Sequence, residues 1–278
     1  MKRYIYGECV KGATHERNGS PLQDSKRIEE VADNIAIIAV ADGHGSSKCP
    51  LSNLGSKIAT NVFCDIMKRY IESYGKTKEE LAGFVSYLNR EGDTRLAQEI
   101  CKEWQKRVRR SFDKKKHKFE SLVRDDGTVD WEGAYSLYGT TLLGMLITDT
   151  FVFSFQIGDG DMNMVTADGV ESLVSPEKFL GTETHSLSKI DAWKKSVSSV
   201  MMKDASADVP YLYMMSTDGF ANSYKNDDDF RKTIRDYYNV IGEHGFDAIK
   251  ENLKSWLKET SELGCGDDIT MVMAYFDE

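Results

Sequence analysis

Ile37-Ile38-Ala39-Val40-Ala41-Asp42-Gly43-His44-Gly45 is the stretch that decides the fold. Residues 34–41 form a nearly unbroken apolar run, the kind buried on both faces of a sheet, and the run stops on a carboxylate beside a backbone-permissive glycine. The same arrangement recurs at long intervals. Phe155-Gln156-Ile157 leads into Gly158-Asp159-Gly160-Asp161, and Leu212-Tyr213-Met214-Met215-Ser216-Thr217 leads into Asp218-Gly219. Asp267-Asp268 opens the apolar run from Ile269 to Tyr275. A carboxylate set at the mouth of a buried strand is how a sheet protein builds a site for hard divalent cations. The chain therefore reads as a metalloenzyme.

Between these landmarks the hydrophobic period sorts the remaining elements. Strands are expected at 4–10, 34–41, about 138–148, 151–157, 162–166, 209–217 and 268–276, with hairpins through Thr148-Asp149-Thr150 and through Gly158 to Asp161. Gly12 to Ser25 reads as a loop. Leu54, Ile58, Val62, Ile66 and Tyr70, and then Leu96, Ile100, Trp104, Val108 and Phe112, recur every fourth residue and predict two long helices with apolar stripes. Further helices are expected near 227–240 and 244–261. The polar stretch from Ser175 to Asp208 has no strong period and reads as a short helix with an exposed insertion. Strands, helices, strands, helices and a final strand imply an α+β layered sandwich with mainly antiparallel sheets, in one domain over residues 1–278.

A formal net charge of −9 argues against nucleic acid or an anionic membrane as partner. Five cysteines without a C-x-x-C pair fit a reducing compartment and give no disulfide framework or structural zinc site. With no signal peptide and no membrane-length apolar run, a cytoplasmic location is expected. Residues 102–118 carry nine Lys or Arg against two acids, read here as the solvated face of the helix that buries Trp104, Val108 and Phe112.

Several aspartates converging on one point would repel strongly unless dications lay between them. Two such ions acidify a shared water and neutralise a phosphoryl group, so hydrolysis of a phosphate ester is the natural reaction. No Walker A loop, Gly-x-Gly-x-x-Gly fingerprint or Ser-His-Asp constellation competes. Gly139-Thr140-Thr141 reads as a packing corner whose hydroxyls satisfy backbone groups. Asp161 and Asp268 read as outer or surface carboxylates.

In order and spacing, Ala41-Asp42-Gly43-His44-Gly45, Gly139-Thr140-Thr141, Ile157-Gly158-Asp159, Ser216-Thr217-Asp218-Gly219 and Asp267-Asp268-Ile269-Thr270 resemble the motifs of the metal-dependent protein serine/threonine phosphatases, the PPM or type 2C family. His15-Glu16-Arg17-Asn18-Gly19-Ser20-Pro21-Leu22-Gln23-Asp24 resembles the N-terminal motif of its bacterial branch. The resemblance implies a four-layer αββα sandwich and a manganese- or magnesium-dependent phosphatase acting on phosphoserine or phosphothreonine through a metal-bridging hydroxide. It also implies two ions with a third, looser position, and a phosphorylated protein partner linked to a cognate serine/threonine kinase. Asp42 would bridge the metals, with the Gly43 carbonyl on one of them and Asp218 and Asp267 on the other. Asp159 with Asp218 would form the third position, and Asp24 would orient water in the outer shell. His44 would be the general acid, and Arg17 and His15 would contact phosphate. Gln23 stands where many relatives have glutamate, which keeps open a weak or regulatory pseudophosphatase and a small-molecule phosphatase as alternatives.

Overall fold

The computed structural model describes residues 2–174, 185–203 and 211–277. Among the described residues ten strands make two five-stranded antiparallel sheets. The first runs β1 (Lys2–Val10), β10 (Ile269–Asp277), β9 (Tyr211–Ser216), β6 (Asp161–Val165) and β7 (Val170–Ser172). The second runs β2 (Ser25–Ala32), β3 (Ile35–Ala41), β4 (Leu142–Ile147), β5 (Phe151–Ile157) and β8 (Val197–Met202).

The alternation of side chains along β3 explains its unbroken apolar run. Ile35, Ile37, Ala39 and Ala41 face one helical layer, while Ile38 and Val40 face the opposite sheet. β10 is built the same way. Its Ile269, Met271, Met273 and Tyr275 pack toward helices, and Val272, Ala274 and Phe276 pack between the sheets. Helices α2 (Ser52–Tyr74), α3 (Lys78–Glu91), α4 (Arg95–Asp113) and α5 (Trp131–Ser136) cover the second sheet, and the short α6 (Asp218–Ala221) with α7 (Asp227–His244) and α8 (Asp247–Leu263) cover the first. The result is the four-layer αββα sandwich. Trp104 fills the α2–α4 contact, and its buried indole N–H donates to the Gly55 carbonyl at 3.1 Å, so its one polar atom is satisfied.

Three expectations change. Gly12 to Ser25 is not all loop, because Ala13–Asn18 forms a short helix, α1, closed by Gly19 at φ 75°. Gly158 to Asp161 does not make a hairpin. β5 and β6 lie in different sheets, and the chain crosses between them there. Gly158, at φ 114°, takes the backbone into a region that other residues avoid, and the Gln156 amide holds the crossing by donating to the Gly158 and Gly160 carbonyls at 3.1 and 2.6 Å. Third, part of the expected 175–208 insertion is an edge strand, β8, paired along β5; residues 175–184 and 204–210 of that stretch lie outside the described residues.

Because every pairing is antiparallel, β3, β5 and β9 end where β2, β4, β6 and β10 begin. All of the sequence-marked aspartates are therefore brought to one end of the sandwich. Among the described residues no helix is long and apolar enough to cross a membrane.

Candidate active site

Asp42 leaves β3 into a clamp made by the Gly139-Thr140-Thr141 corner. Its backbone N–H donates to Thr141 Oγ1 at 2.9 Å, and its carbonyl accepts from Thr140 Oγ1 at 2.7 Å and from the Thr141 N–H at 2.9 Å. The two hydroxyls do what the sequence suggested and fix a backbone corner. Gly139 has a second reason to be glycine: a Cβ there would sit 2.6 Å from His44 Cδ2 and 3.0 Å from Cys49 Sγ. The bare backbone leaves room for the His44 ring beside the corner, while the His44 N–H donates to the Gly139 carbonyl at 3.1 Å.

Asp24 enters from the start of β2 and is buried, with Oδ2 accepting from Thr217 Oγ1 at 2.8 Å. Its Oδ1 has no donor, yet the Asp42 carboxylate is within hydrogen-bonding reach. Two carboxylate oxygens thus face each other in a buried place, an arrangement that needs a proton or a cation between them. Asp42 also meets Asp218, whose Oδ2 accepts from Asn222 Nδ2 at 2.9 Å. Asp159 on the crossing and Asp267 at the foot of β10 are more exposed and act on Asp218 through their charge.

Among the described residues no group of three His, Cys, Asp or Glu side chains forms a ready-made metal cage. The aspartates instead meet in pairs, Asp24 with Asp42 and Asp42 with Asp218. The donor set is all oxygen, several of its members are buried, and one buried oxygen lacks a partner. These properties fit hard divalent cations.

The electrostatics follow from this crowding. Burial, and then the charge of Asp268, push the Asp24 carboxyl up to about 8. Burial and then Asp24, Asp218 and Asp267 hold Asp42 well above the usual carboxylate range. Asp218 is raised to about 6 by burial and then by Asp159 and Asp267. Burial lowers His44, and the charge of Asp159 opposes that shift.

Folded values above the unfolded one mean that the folded chain keeps protons the unfolded chain has released. The stability from this source is complete below about pH 4 and is lost as pH rises through about 6 and about 8. Chelator-treated protein is accordingly expected to melt at a falling temperature from about pH 5 to about pH 8, and manganese or magnesium added at the upper end should recover the loss. Scanning calorimetry with and without chelator measures both. A chelated midpoint that stays flat or climbs over that interval would contradict the cluster.

Asp268 is not a surface carboxylate. It is 3 % exposed, and it accepts from the backbone N–H groups of Gly12 and Gln23, both at 2.7 Å, and from His15 Nδ1 at 2.8 Å. It therefore ties the α1 segment and the approach to β2 onto β10. His15 is held with Nε2 4.0 Å from Asp267, at the edge of the cluster. Arg17 points elsewhere. It is exposed, donates to Thr14 Oγ1 at 3.1 Å and lines a cleft with Lys11, Glu16 and Lys258.

Gln23 uses its side-chain amide to donate to Ser52 Oγ at 2.7 Å and to the His44 carbonyl at 3.3 Å, so it braces the Asp42–His44 turn against α2. A glutamate in that place would bring a charge against the His44 carbonyl. Sequence reasoning missed Thr217, Ser52 and the anchoring role of Asp268. Only Thr217 carried a local signal, as the hydroxyl preceding Asp218.

The model of the protein phosphatase 2C family matches residues 11–258, and the chain belongs to that family. In fold it is similar to the S. agalactiae serine/threonine phosphatase, with 16% identity, a TM-score of 0.60 and coverage of 99% of this chain and 100% of that one. It is also similar to the Mycobacterium tuberculosis serine/threonine phosphatase PstP/Ppp, at 10% identity and a TM-score of 0.58 with both chains covered in full. The catalytic domain of PstP in complex with 2 manganese ions aligns at 13% identity and a TM-score of 0.58, with 99% of each chain covered. No curated protein matches the chain significantly in sequence.

Proposed function

We propose that this chain is a manganese- or magnesium-dependent phosphoprotein phosphatase that hydrolyses phosphoserine and phosphothreonine, as one catalytic unit over residues 1–278. The observation that carries the reading is the meeting of buried Asp24 with half-buried Asp42, and of Asp42 with half-buried Asp218, contributed by both sheets, in a chain of the protein phosphatase 2C family. Asp42, the Gly43 carbonyl, Asp218 and Asp267 are the groups that would hold two cations, with Asp159 and Asp218 at a looser third position. When bound, such ions supply an acidified water and neutralise phosphoryl charge.

The chain's own side chains do the rest. Asp24, fixed by Thr217, is placed to orient water beside Asp42. His15, anchored through Nδ1 on Asp268, keeps Nε2 for a phosphate oxygen, whereas Arg17 reaches one only by leaving Thr14. His44 donates a proton to the serine or threonine oxygen as the P–O bond breaks. Its burial weakens its hold on that proton, which makes it a stronger acid toward an alkoxide. No protein nucleophile is required. The cysteines Cys9, Cys49, Cys64, Cys101 and Cys265 are all free, in keeping with a cytoplasmic setting, and the substrate would be a protein phosphorylated by a serine/threonine kinase.

The test is hydrolysis of a phosphothreonine peptide by metal-stripped protein with manganese or magnesium added back. Turnover is expected only with added metal. Metal binding by calorimetry without turnover would favour the regulatory pseudophosphatase, and turnover of small phosphoesters alone would favour a small-molecule enzyme.

A further inference from the structure

The basic run of 102–118 is more than a solvated helix face. Its side chains at 107, 110, 111, 114 and 115 recur at helical spacing and form one wall of a groove. The other wall is Leu54, Lys57, Ile58 and Asn61 of α2, again one helical face. The groove has a volume of about 410 Å³ and carries both half-buried apolar surface, from Leu54 and Ile58, and cationic side chains. Arg107 is committed, because it pairs with Asp65 at 2.7 Å and Glu103 at 3.1 Å. Among the described residues Lys57, Arg110, Lys114 and Lys115 form no ion pair with any carboxylate, although the chain as a whole carries a net charge of −9. Four cations left unmatched around an apolar strip, on an acidic protein, are complementary to an acidic segment that also carries an apolar side chain.

The groove is linked to the aspartate cluster through the first turns of α2. The first turns of α2 that supply Leu54, Lys57 and Ile58 also supply Ser52 and Ser56, and these hold Gln23: Ser52 Oγ accepts from its amide, and Ser56 Oγ donates to its carbonyl at 2.5 Å. Lys57 is five residues past Ser52, about 7.5 Å along the helix axis. We propose that the groove between α2 and α4 seats an acidic, apolar-containing flank of the substrate polypeptide while its phosphorylated residue occupies the aspartate cluster. The proposal rests on the phosphatase reading for its catalytic consequence but not for the binding itself.

Two measurements separate the proposal from that reading. In the first, a fluorescent, unphosphorylated peptide with several Asp or Glu residues around a Leu is titrated by anisotropy against the wild-type chain and against an Arg110→Glu, Lys114→Glu double variant. Neither substitution touches the cluster, and both positions are exposed. The wild type is expected to bind the acidic peptide at least about tenfold more tightly than a peptide with Gln and Asn in place of the acids, and the variant is expected to lose that difference. In the second, two phosphothreonine peptides differing only in that flank are compared as substrates. The acidic one is expected to show a KM lower by about tenfold at similar kcat in the wild type only, with hydrolysis of para-nitrophenyl phosphate equal in both proteins.

Peptide binding that is lost in the variant, together with no turnover of any phosphoester, would sustain the groove and overturn the phosphatase reading. Equal binding of acidic and neutral peptides would overturn the groove, as would a preference that survives in the variant. Tighter binding of a single-stranded RNA than of the acidic peptide would also overturn it.

Discussion

Asp42→Asn is expected to remove phosphothreonine hydrolysis, by at least roughly 10³-fold, while leaving a folded chain whose metal-free form melts no lower than the wild type. The two halves of this expectation come from different parts of one residue. The backbone of Asp42 is held by Thr140 and Thr141, and asparagine keeps those three hydrogen bonds. Its carboxylate is the one that meets both Asp24 and Asp218, so it is strongly opposed by its neighbours when no cation is present, and on the proposed reading it would be the ligand the cations share. Neutralising it relieves repulsion in the metal-free chain and deprives the cations of their shared ligand. Turnover assays beside melting curves, each with and without manganese, read both effects. Wild-type turnover in the variant would end the shared-ligand role of Asp42, and a chain unfolded by circular dichroism would show that the clamp depends on the charge.

Asp268→Ala is expected to cost about 3–5 kcal/mol of stability, the effect of leaving several buried donors without their acceptor. Asp268 receives two backbone N–H groups and the His15 ring in a place closed to water, and alanine offers none of them a partner. Activity should fall as a consequence, because Asp24 follows Gln23 directly in the chain and its position depends on that anchor. Denaturant unfolding of the two proteins measures the cost. A difference below about 1 kcal/mol would mean that water reaches the three donors after all and that the anchor is dispensable.

What could be read from the sequence, and what could not, follows from how many sides of an element are covered. β3, β5, β9 and β10 each lie between two neighbours in their sheet and are buried on both faces, so their residues are mostly apolar and declare themselves. The strands that escaped, β2, β7 and β8, are all edge strands. Ser25-Lys26-Arg27-Ile28-Glu29-Glu30 and Val197-Ser198-Ser199-Val200 carry the polar and charged side chains that an edge tolerates, and they resemble loop. α3 buries only Leu81, Phe84 and Leu88, too thin a stripe to stand out, although its Thr77/Glu80 capping box was a readable start signal.

The site divides in the same way. Its aspartates were legible because each interrupts an apolar run. The role of Asp268 was not, because it depends on donors 245 to 256 residues away in the chain, and no local pattern records such a meeting.

Asp24 and Asp42 hang from one sheet and Asp218 and Asp267 from the other, with Asp159 on the connection that carries the chain from β5 to β6 between them. The distance between the two groups of carboxylates is therefore set by whatever lies between the sheets, which is the layer of Ile38, Val40, Leu143, Met145, Met162, Met215 and Val272. That layer works as a shim. Its thickness, decided by side chains that never touch a substrate, gauges the gap in which charge is held, so a methylene added or removed there adjusts the chemistry at the end of the sandwich without altering any residue of the site.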